Sequence, residues 1–123
     1  MIKVGVFYPQ SKKFDWDYYI NKHTPMIKRL MPAMRKVEIE NGIAGGAPGT
    51  SATYQCVCTL HFDSVEAFQA AFAPHAGEIM GDIPNYTDAQ PIATAWSGNC
   101  VEWNRRGLSS HLPLGEVGSR RSG

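Results

Sequence analysis

The order of two hydrophobic periodicities along this chain limits its possible folds more than any other feature. Apolar and polar residues alternate in four segments, which is the pattern of half-buried strands. Apolar residues spaced by three and four, as in amphipathic helices, follow the first and the third strand segments. The strand segments are 2–8, 35–39, 53–62 and 89–97, and the helices begin near residues 15 and 64. This βαββαβ order predicts an α+β protein of the ferredoxin-like type, an antiparallel four-stranded sheet with two helices on one face.

The predicted sheet has a second face that no helix covers. Phe7 or Tyr8 would lie on that face with Val57 and neighbouring apolar side chains. A soluble protein rarely leaves an apolar patch of this size in water, and such patches usually mark interfaces. We therefore expect a homodimer in which two sheets pack face to face and form a dimeric α+β barrel.

Composition is typical of one soluble domain. The chain has 123 residues, and its formal net charge of +1 favours neither nucleic acid nor a membrane surface as a partner. No apolar run is long enough to cross a membrane, and the first strand begins without a signal peptide, so we expect a cytoplasmic protein. Residues 1–97 should form the domain. Residues 98–123 lack sustained periodicity and should form an irregular C-terminal extension.

The segment from Phe14 to Pro25 contains the residues best suited to bind a ligand or to act in catalysis. Five side chains recur at helical spacing and are predicted to share one face: Trp16, Tyr19, Ile20, His23 and Ile27. Pro25 lacks an N–H and disfavours helical angles at Thr24, so we expect a break or kink near Thr24. That break would leave His23 at the end of a helical segment, on a core-facing surface.

Two interpretations of His23 are open from the sequence. It is either a histidine satisfied in the core or at a helix end, or the polar group of a buried pocket. In a pocket, desolvation would tune its proton affinity, and the imidazole would act as a general acid or base or anchor a ligand. The histidines and cysteines lack metal-ligand spacing, and the sequence has no nucleophile elbow or dinucleotide-binding fingerprint. We therefore expect no metal and no cofactor.

Motifs over about the first hundred residues resemble one known family. They are Met1–Val4, Tyr8–Pro9, Phe14–Asp15, Asp17–Tyr19, His23 with Pro25, Gly42, Ala44–Gly49, Phe62–Phe68, Pro74–His75 and Glu78–Thr87. In these segments the chain resembles the EthD family, which is associated with bacterial degradation of ethyl tert-butyl ether and belongs to the dimeric α+β barrel superfamily. The C-terminal extension lies outside the resemblance.

The resemblance implies a small protein of a bacterial catabolic pathway that contains a haem monooxygenase system. It also implies a ligand between the helices and the sheet, near the first helix. Our leading hypothesis is a pocket for a small apolar organic compound, in which His23 moves a proton or polarises a carbonyl or hydroxyl, as in a cofactor-independent monooxygenase or isomerase. The residues expected to orient the compound or to wall the pocket are Tyr18 or Tyr19, Tyr86, Trp16 and Trp96.

Two further functions stay open at this point. The first is a non-catalytic accessory or carrier protein of the monooxygenase system, with the same pocket and no turnover. The second is a haem-binding protein, in which one histidine would be a ligand to the iron.

Overall fold

The structure is a computed structural model that describes residues 1–103 and 109–113. Its strands are β1 (Ile2–Pro9), β2 (Lys36–Asn41), β3 (Tyr54–Phe62), β4 (Ile92–Trp96), β5 (Asn99–Trp103) and β6 (Ser109–Pro113). Its α-helical segments are α1 (Trp16–Tyr18), α2 (Thr24–Leu30), α3 (Val65–Phe72) and α4 (Ala76–Gly81). A π-helical segment, Tyr19–His23, joins α1 to α2, and 3-10 turns lie at Ala73–His75 and Ile83–Asn85.

The first four strands form one antiparallel sheet in the order β2-β3-β1-β4. The two helical stretches, α1 to α2 and α3 to α4, lie on the same face of this sheet, since Ile27 and Phe68 border one cavity with Val4 of β1. The predicted ferredoxin-like α+β fold is therefore confirmed. β5 and β6 form a separate two-stranded sheet, which the aperiodic sequence after residue 97 did not predict.

β3 supplies the centre of the core. Its buried side chains alternate with half-buried ones, as a period of two requires, and they are Cys56, Cys58, Leu60 and Phe62. The two cysteines are free thiols that pack as small apolar groups. This face of β3 lies under the helices, and it forms the floor on which the candidate site is built.

The predicted break at Thr24 is absent, and the departure from α-helical geometry is instead the π-helical segment Tyr19–His23. Thr24 has helical angles, and its N–H donates to the carbonyl of Tyr19, five residues earlier. Its hydroxyl donates to the same carbonyl at 2.8 Å. A π-helical turn holds one more residue than an α-helical turn, and it accommodates Pro25, which has no N–H to donate. The helix therefore continues through the proline.

The π-helical segment also changes which side chains face the core. Tyr19, His23 and Ile27 are all buried, at intervals of four residues. Ile20 was predicted to share this face, but it is 42 % exposed. The helical period used for the prediction assumed α geometry throughout.

The open face of the sheet carries an apolar row across three strands. Phe7 of β1 lies opposite Val57 of β3 and Ile92 of β4. The ring of Trp96 meets the edge of the Phe7 ring, with centroids 5.6 Å apart. Gly5 lies beneath both rings, and a Cβ there would come within 2.8 Å of Phe7 and 3.1 Å of Trp96. Tyr8 is buried on the helix side, so Phe7 is the aromatic residue of the open face.

Candidate functional site

A cavity of about 370 Å³ lies between the sheet and the helices. The sheet contributes apolar side chains of β1 and β3, and α2, α3 and α4 contribute the opposite wall. The lining includes Val4, Val6, Leu60, Ile27, Met31, Phe68, Phe72 and Ile79. Small-molecule sites commonly have volumes of about 300–1,000 Å³ and mostly apolar walls with a few polar groups. This cavity has both properties.

His23 is the titratable base in the cavity wall, and Asp82 fixes its orientation. The imidazole is 4 % exposed, and its Nδ1 lies 2.8 Å from Oδ2 of Asp82. An ionised carboxylate can only accept a hydrogen bond, so Nδ1 carries the proton and donates it. Nε2 consequently carries the lone pair.

The second ring nitrogen of His23, Nε2, is free of protein partners within the described part of the chain. Among the described residues, no hydrogen bond reaches Nε2, and no fully buried side-chain nitrogen or oxygen lacks a partner. Nε2 is therefore not fully enclosed, and because His23 lines the cavity we infer that Nε2 borders it. Burial lowers the pKa of His23 more than the hydrogen bond and the charge of Asp82 raise it. At neutral pH the side chain is a neutral imidazole with Nε2 as an acceptor.

Asp82 follows α4 and is held by three donors. Oδ2 accepts from His23, while Oδ1 accepts from the Tyr18 hydroxyl at 2.7 Å and from Nδ2 of Asn85 at 2.9 Å. Burial raises the pKa of Asp82, but the hydrogen bonds from His23, Tyr18 and Asn85 together lower it below its usual value. Asp82 therefore stays ionised at neutral pH and remains an acceptor for His23.

Two tyrosine rings enclose the imidazole. The Tyr19 ring stacks on His23 with centroids 5.6 Å apart and an angle of 15° between the planes. The Tyr86 ring lies 4.7 Å away on a tilted plane. His23 and Tyr19 both belong to the π-helical segment, a feature that often occurs at functional sites. The rings and Asp82 together leave the imidazole one orientation.

The remaining polar groups near the cavity are neutral at pH 7. The hydroxyls of Tyr8 and Tyr86 lie 2.8 Å apart and share a hydrogen bond. Burial raises the pKa of Tyr8 to about 12 and raises that of Tyr19 further. Burial also raises the pKa of the Cys58 thiol to about 11, so it is not a thiolate nucleophile at neutral pH. His23 is therefore the base that the cavity offers.

The predicted site residues occupy different positions relative to this cavity. His23 and Tyr19 line it. Tyr18 does not line it but donates to Asp82 from behind His23. Tyr86 also lies outside the lining and packs against the imidazole.

The two tryptophans lie away from the cavity lining. Trp16 is half-buried and packs on Phe14, with centroids 4.7 Å apart. Trp96 pairs with Lys3 across β4 and β1, which places it on the open face of the sheet, opposite the cavity. Ala93, one residue after Ile92, is the β4 residue that borders the cavity.

Sequence analysis missed Asp82 as a functional residue. It lies in a turn, where an aspartate is common, and 59 positions separate it from His23. No local spacing links the two residues. A signal for this pair could come only from the topology that brings the end of α4 against the π-helical segment.

Two kinds of feature are absent from the described part of the chain. No group of three histidine, cysteine or acidic side chains there could hold a metal ion. No helix among the same residues is long and apolar enough to cross a membrane.

The fold and the cavity define a class of small α+β proteins with a pocket between helices and sheet. Within this class, the EthD domain family matches residues 8–90, so the chain belongs to the EthD family. This confirms the resemblance found in the sequence. No functionally curated protein matches the chain.

One solved structure supports this membership, and two others share the fold. An EthD-like protein from Ralstonia eutropha JMP134 is 41% identical, with a TM-score of 0.73 over 78% of this chain and 89% of that one. An EthD family protein from Bacillus halodurans C-125 is 19% identical, with a TM-score of 0.59 over 80% and 98% of the two chains. The Arabidopsis thaliana protein At3g17210 is 14% identical, with a TM-score of 0.63 over 83% and 99%. The last two similarities show the fold alone.

Proposed function

We propose that the protein binds a small apolar organic compound in the cavity between helices and sheet, and that His23 acts on it as a general base through Nε2. One observation carries this proposal: the buried imidazole of His23 lines an apolar cavity, Asp82 holds its Nδ1, and its Nε2 has no hydrogen-bond partner among the described residues. A satisfied core histidine would have a protein partner for both ring nitrogens. General bases of this kind contribute about 10²–10⁴-fold to rate.

The chemistry of the site follows from its hydrogen bonds. Nε2 takes a proton from an acidic C–H or O–H of the compound, and the imidazolium that forms is stabilised by Asp82 at 2.8 Å from Nδ1. Tyr18 and Asn85 keep Asp82 in place during this change of charge. An isomerase would return the proton to another atom of the compound. A cofactor-independent oxygenase would let the resulting anion react with O₂.

Membership of the family supports a pathway for the proposed compound. We propose that the protein serves a bacterial catabolic pathway of the ethyl tert-butyl ether degradation type, in the cytoplasm and alongside components of a monooxygenase system. The family match and the EthD-like relative from Ralstonia eutropha support this assignment.

The open face of the sheet supports a homodimer. Ile92 is 52 % exposed and Trp96 is 47 % exposed, and both adjoin Phe7 in one apolar surface. We propose that two such surfaces pack together about a two-fold axis, which would remove both from water. The cavity lies on the other side of the sheet and stays within one protomer.

The function is tested first by identifying retained compounds. Untargeted mass spectrometry of the purified protein would name them, and each would then be incubated with the protein in D₂O. The proposal predicts that an acidic C–H of the compound exchanges for C–D, since an O–H exchanges in D₂O without the protein, and that His23→Asn slows this exchange about 10²–10⁴-fold. His75→Asn is the matched control and should exchange at the wild-type rate, since His75 lies outside the cavity lining.

Other results would identify the alternatives. Retention of a compound without exchange by the wild-type protein would indicate a carrier. A Soret band that titrates one to one with added haem would indicate a haem-binding protein and make His23 a ligand.

A further inference from the structure

The polar atoms of the cavity wall restrict what the cavity can bind. Tyr8 shares a hydrogen bond with Tyr86, and the Tyr19 hydroxyl lies beside Tyr8 and Cys58. Nε2 of His23 has no hydrogen-bond partner or neighbouring donor side chain of this kind among the described residues, and it is an acceptor. A ligand without a hydrogen-bond donor would displace water from Nε2 and leave this acceptor without a partner, which is unfavourable.

The charges around the cavity exclude a second class of ligand. No lysine or arginine is among the described residues that line it, and the ionised Asp82 lies directly behind His23. A carboxylate or phosphate would bring another negative charge into an apolar space without a fixed cation. Burial of an unpaired charge is strongly unfavourable. The ligand should therefore be uncharged.

The volume sets an upper limit on size. A cavity of about 150 Å³ holds benzene. The cavity here measures about 370 Å³, which leaves room for two fused rings or an alicyclic compound of similar size. The aromatic side chains Phe68 and Phe72 provide flat apolar contacts on the α3 side.

We propose that the ligand is an uncharged one- or two-ring or alicyclic compound, apolar except for a single phenol-, enol- or alcohol-type O–H that it donates to Nε2 of His23. This inference rests on the proposed function and names its ligand class. A simple dialkyl ether has no O–H and does not belong to that class. The reaction that supplies such a ligand is the hydroxylation of an apolar precursor.

Three probes of one shape test the inference by calorimetry on the full-length protein: naphthalene, 2-naphthol and 2-naphthoate. The first has no donor, the second has one O–H, and the third carries a negative charge. We expect 2-naphthol to bind about two- to tenfold more tightly than naphthalene, as one added hydrogen bond allows. We expect 2-naphthoate to bind more weakly than either.

A substitution locates the effect at the imidazole. His23→Leu should reduce the affinity ratio of 2-naphthol to naphthalene to about one while naphthalene still binds. His75→Leu, the matched control, should keep the wild-type ratio. The comparison within the wild-type protein needs no variant, so it decides the question even if His23→Leu does not fold.

The outcomes separate this inference from the proposed function. Equal binding of naphthalene and 2-naphthol by the wild-type protein would overturn the ligand class and leave the apolar cavity in place. Tightest binding of 2-naphthoate would overturn it as well, because the site would then hold an anion. Failure of all three probes to bind would overturn both the ligand class and the binding cavity.

Discussion

Replacing Asp82 by asparagine would exchange the acceptor behind His23 for a group that can also donate. The amide of Asp82→Asn has nearly the same shape, so packing around α4 is retained. Its Nδ2 can donate to Nδ1 of His23, which would move the imidazole proton to Nε2. The cavity would then meet a donor in place of a base. A comparable exchange in the serine protease triad lowers kcat about 10⁴-fold through the wrong tautomer.

The stability change follows from the contacts of the carboxylate. Asp82 accepts hydrogen bonds from three side chains, and its own side chain is 15% exposed. A hydrogen bond to a charged group contributes about 1.5–3 kcal/mol. Because the amide keeps part of this network, we expect a loss of about 2 kcal/mol in the free energy of unfolding. For a domain of this length that corresponds to a fall of roughly 6–10 °C in Tm.

Two measurements check this prediction. Calorimetry should give the fall in Tm, and ¹⁵N NMR of the imidazole should report Nε2 as the protonated nitrogen in Asp82→Asn. Asp63→Asn is the matched control, because Asp63 pairs with Arg35 on the surface and should change Tm little. An Asp82→Asn protein with wild-type stability and an unchanged tautomer would refute the role assigned to Asp82.

Three further predictions concern pH, Tyr18 and the open face of the sheet. The pKa of His23 is lowered in the folded protein, so the unfolded chain binds more protons at mildly acidic pH. The free energy of unfolding should therefore fall as pH drops below about 6.5 towards the folded pKa. Tm measured against pH for the wild-type protein and for His23→Asn checks this, and identical pH dependence of the two proteins would contradict it. Tyr18→Phe removes the hydrogen bond from the Tyr18 hydroxyl to Asp82. The hydrogen bond from His23 Nδ1 to Asp82 should then become stronger, and the pKa of His23 should rise. An NMR titration that gives an unchanged or lower pKa would oppose this. Ile92→Asp should raise the dissociation constant of the proposed homodimer at least tenfold, as measured by light scattering over a range of concentrations. Ile43→Asp is the control, because Ile43 is 90 % exposed in the loop after β2, and it should leave the constant unchanged. Equal behaviour of the two variants would argue against the proposed interface.

The strands were predictable because one local rule governs them. The alternation in residues 53–62 requires only that one face of β3 be buried, and the structure buries Cys56, Cys58, Leu60 and Phe62. Alternation also placed Ile92 and Trp96 on one side of β4. It could not say which side faces the helices, because that depends on the pairing of Lys3 with Trp96 across the sheet.

The parts that were missed depend on interactions outside any local window. Sequence rules treat Pro25 as a helix breaker, but a π-helical turn accommodates it and exposes Ile20. His23 was recognisable as a polar group on an apolar face. Its partner Asp82 was not, because only the packing of α4 against the first helical stretch brings the two together.

The central claim is that the lone pair of His23 Nε2 meets a ligand inside the cavity. A crystal structure of the wild-type protein with 2-naphthol tests it most directly. We predict the ring between β1, β3 and α3, with its oxygen within about 2.7–3.2 Å of Nε2. Clear density for 2-naphthol on the open face of the sheet, or in the cavity with its oxygen directed away from His23, would contradict the account.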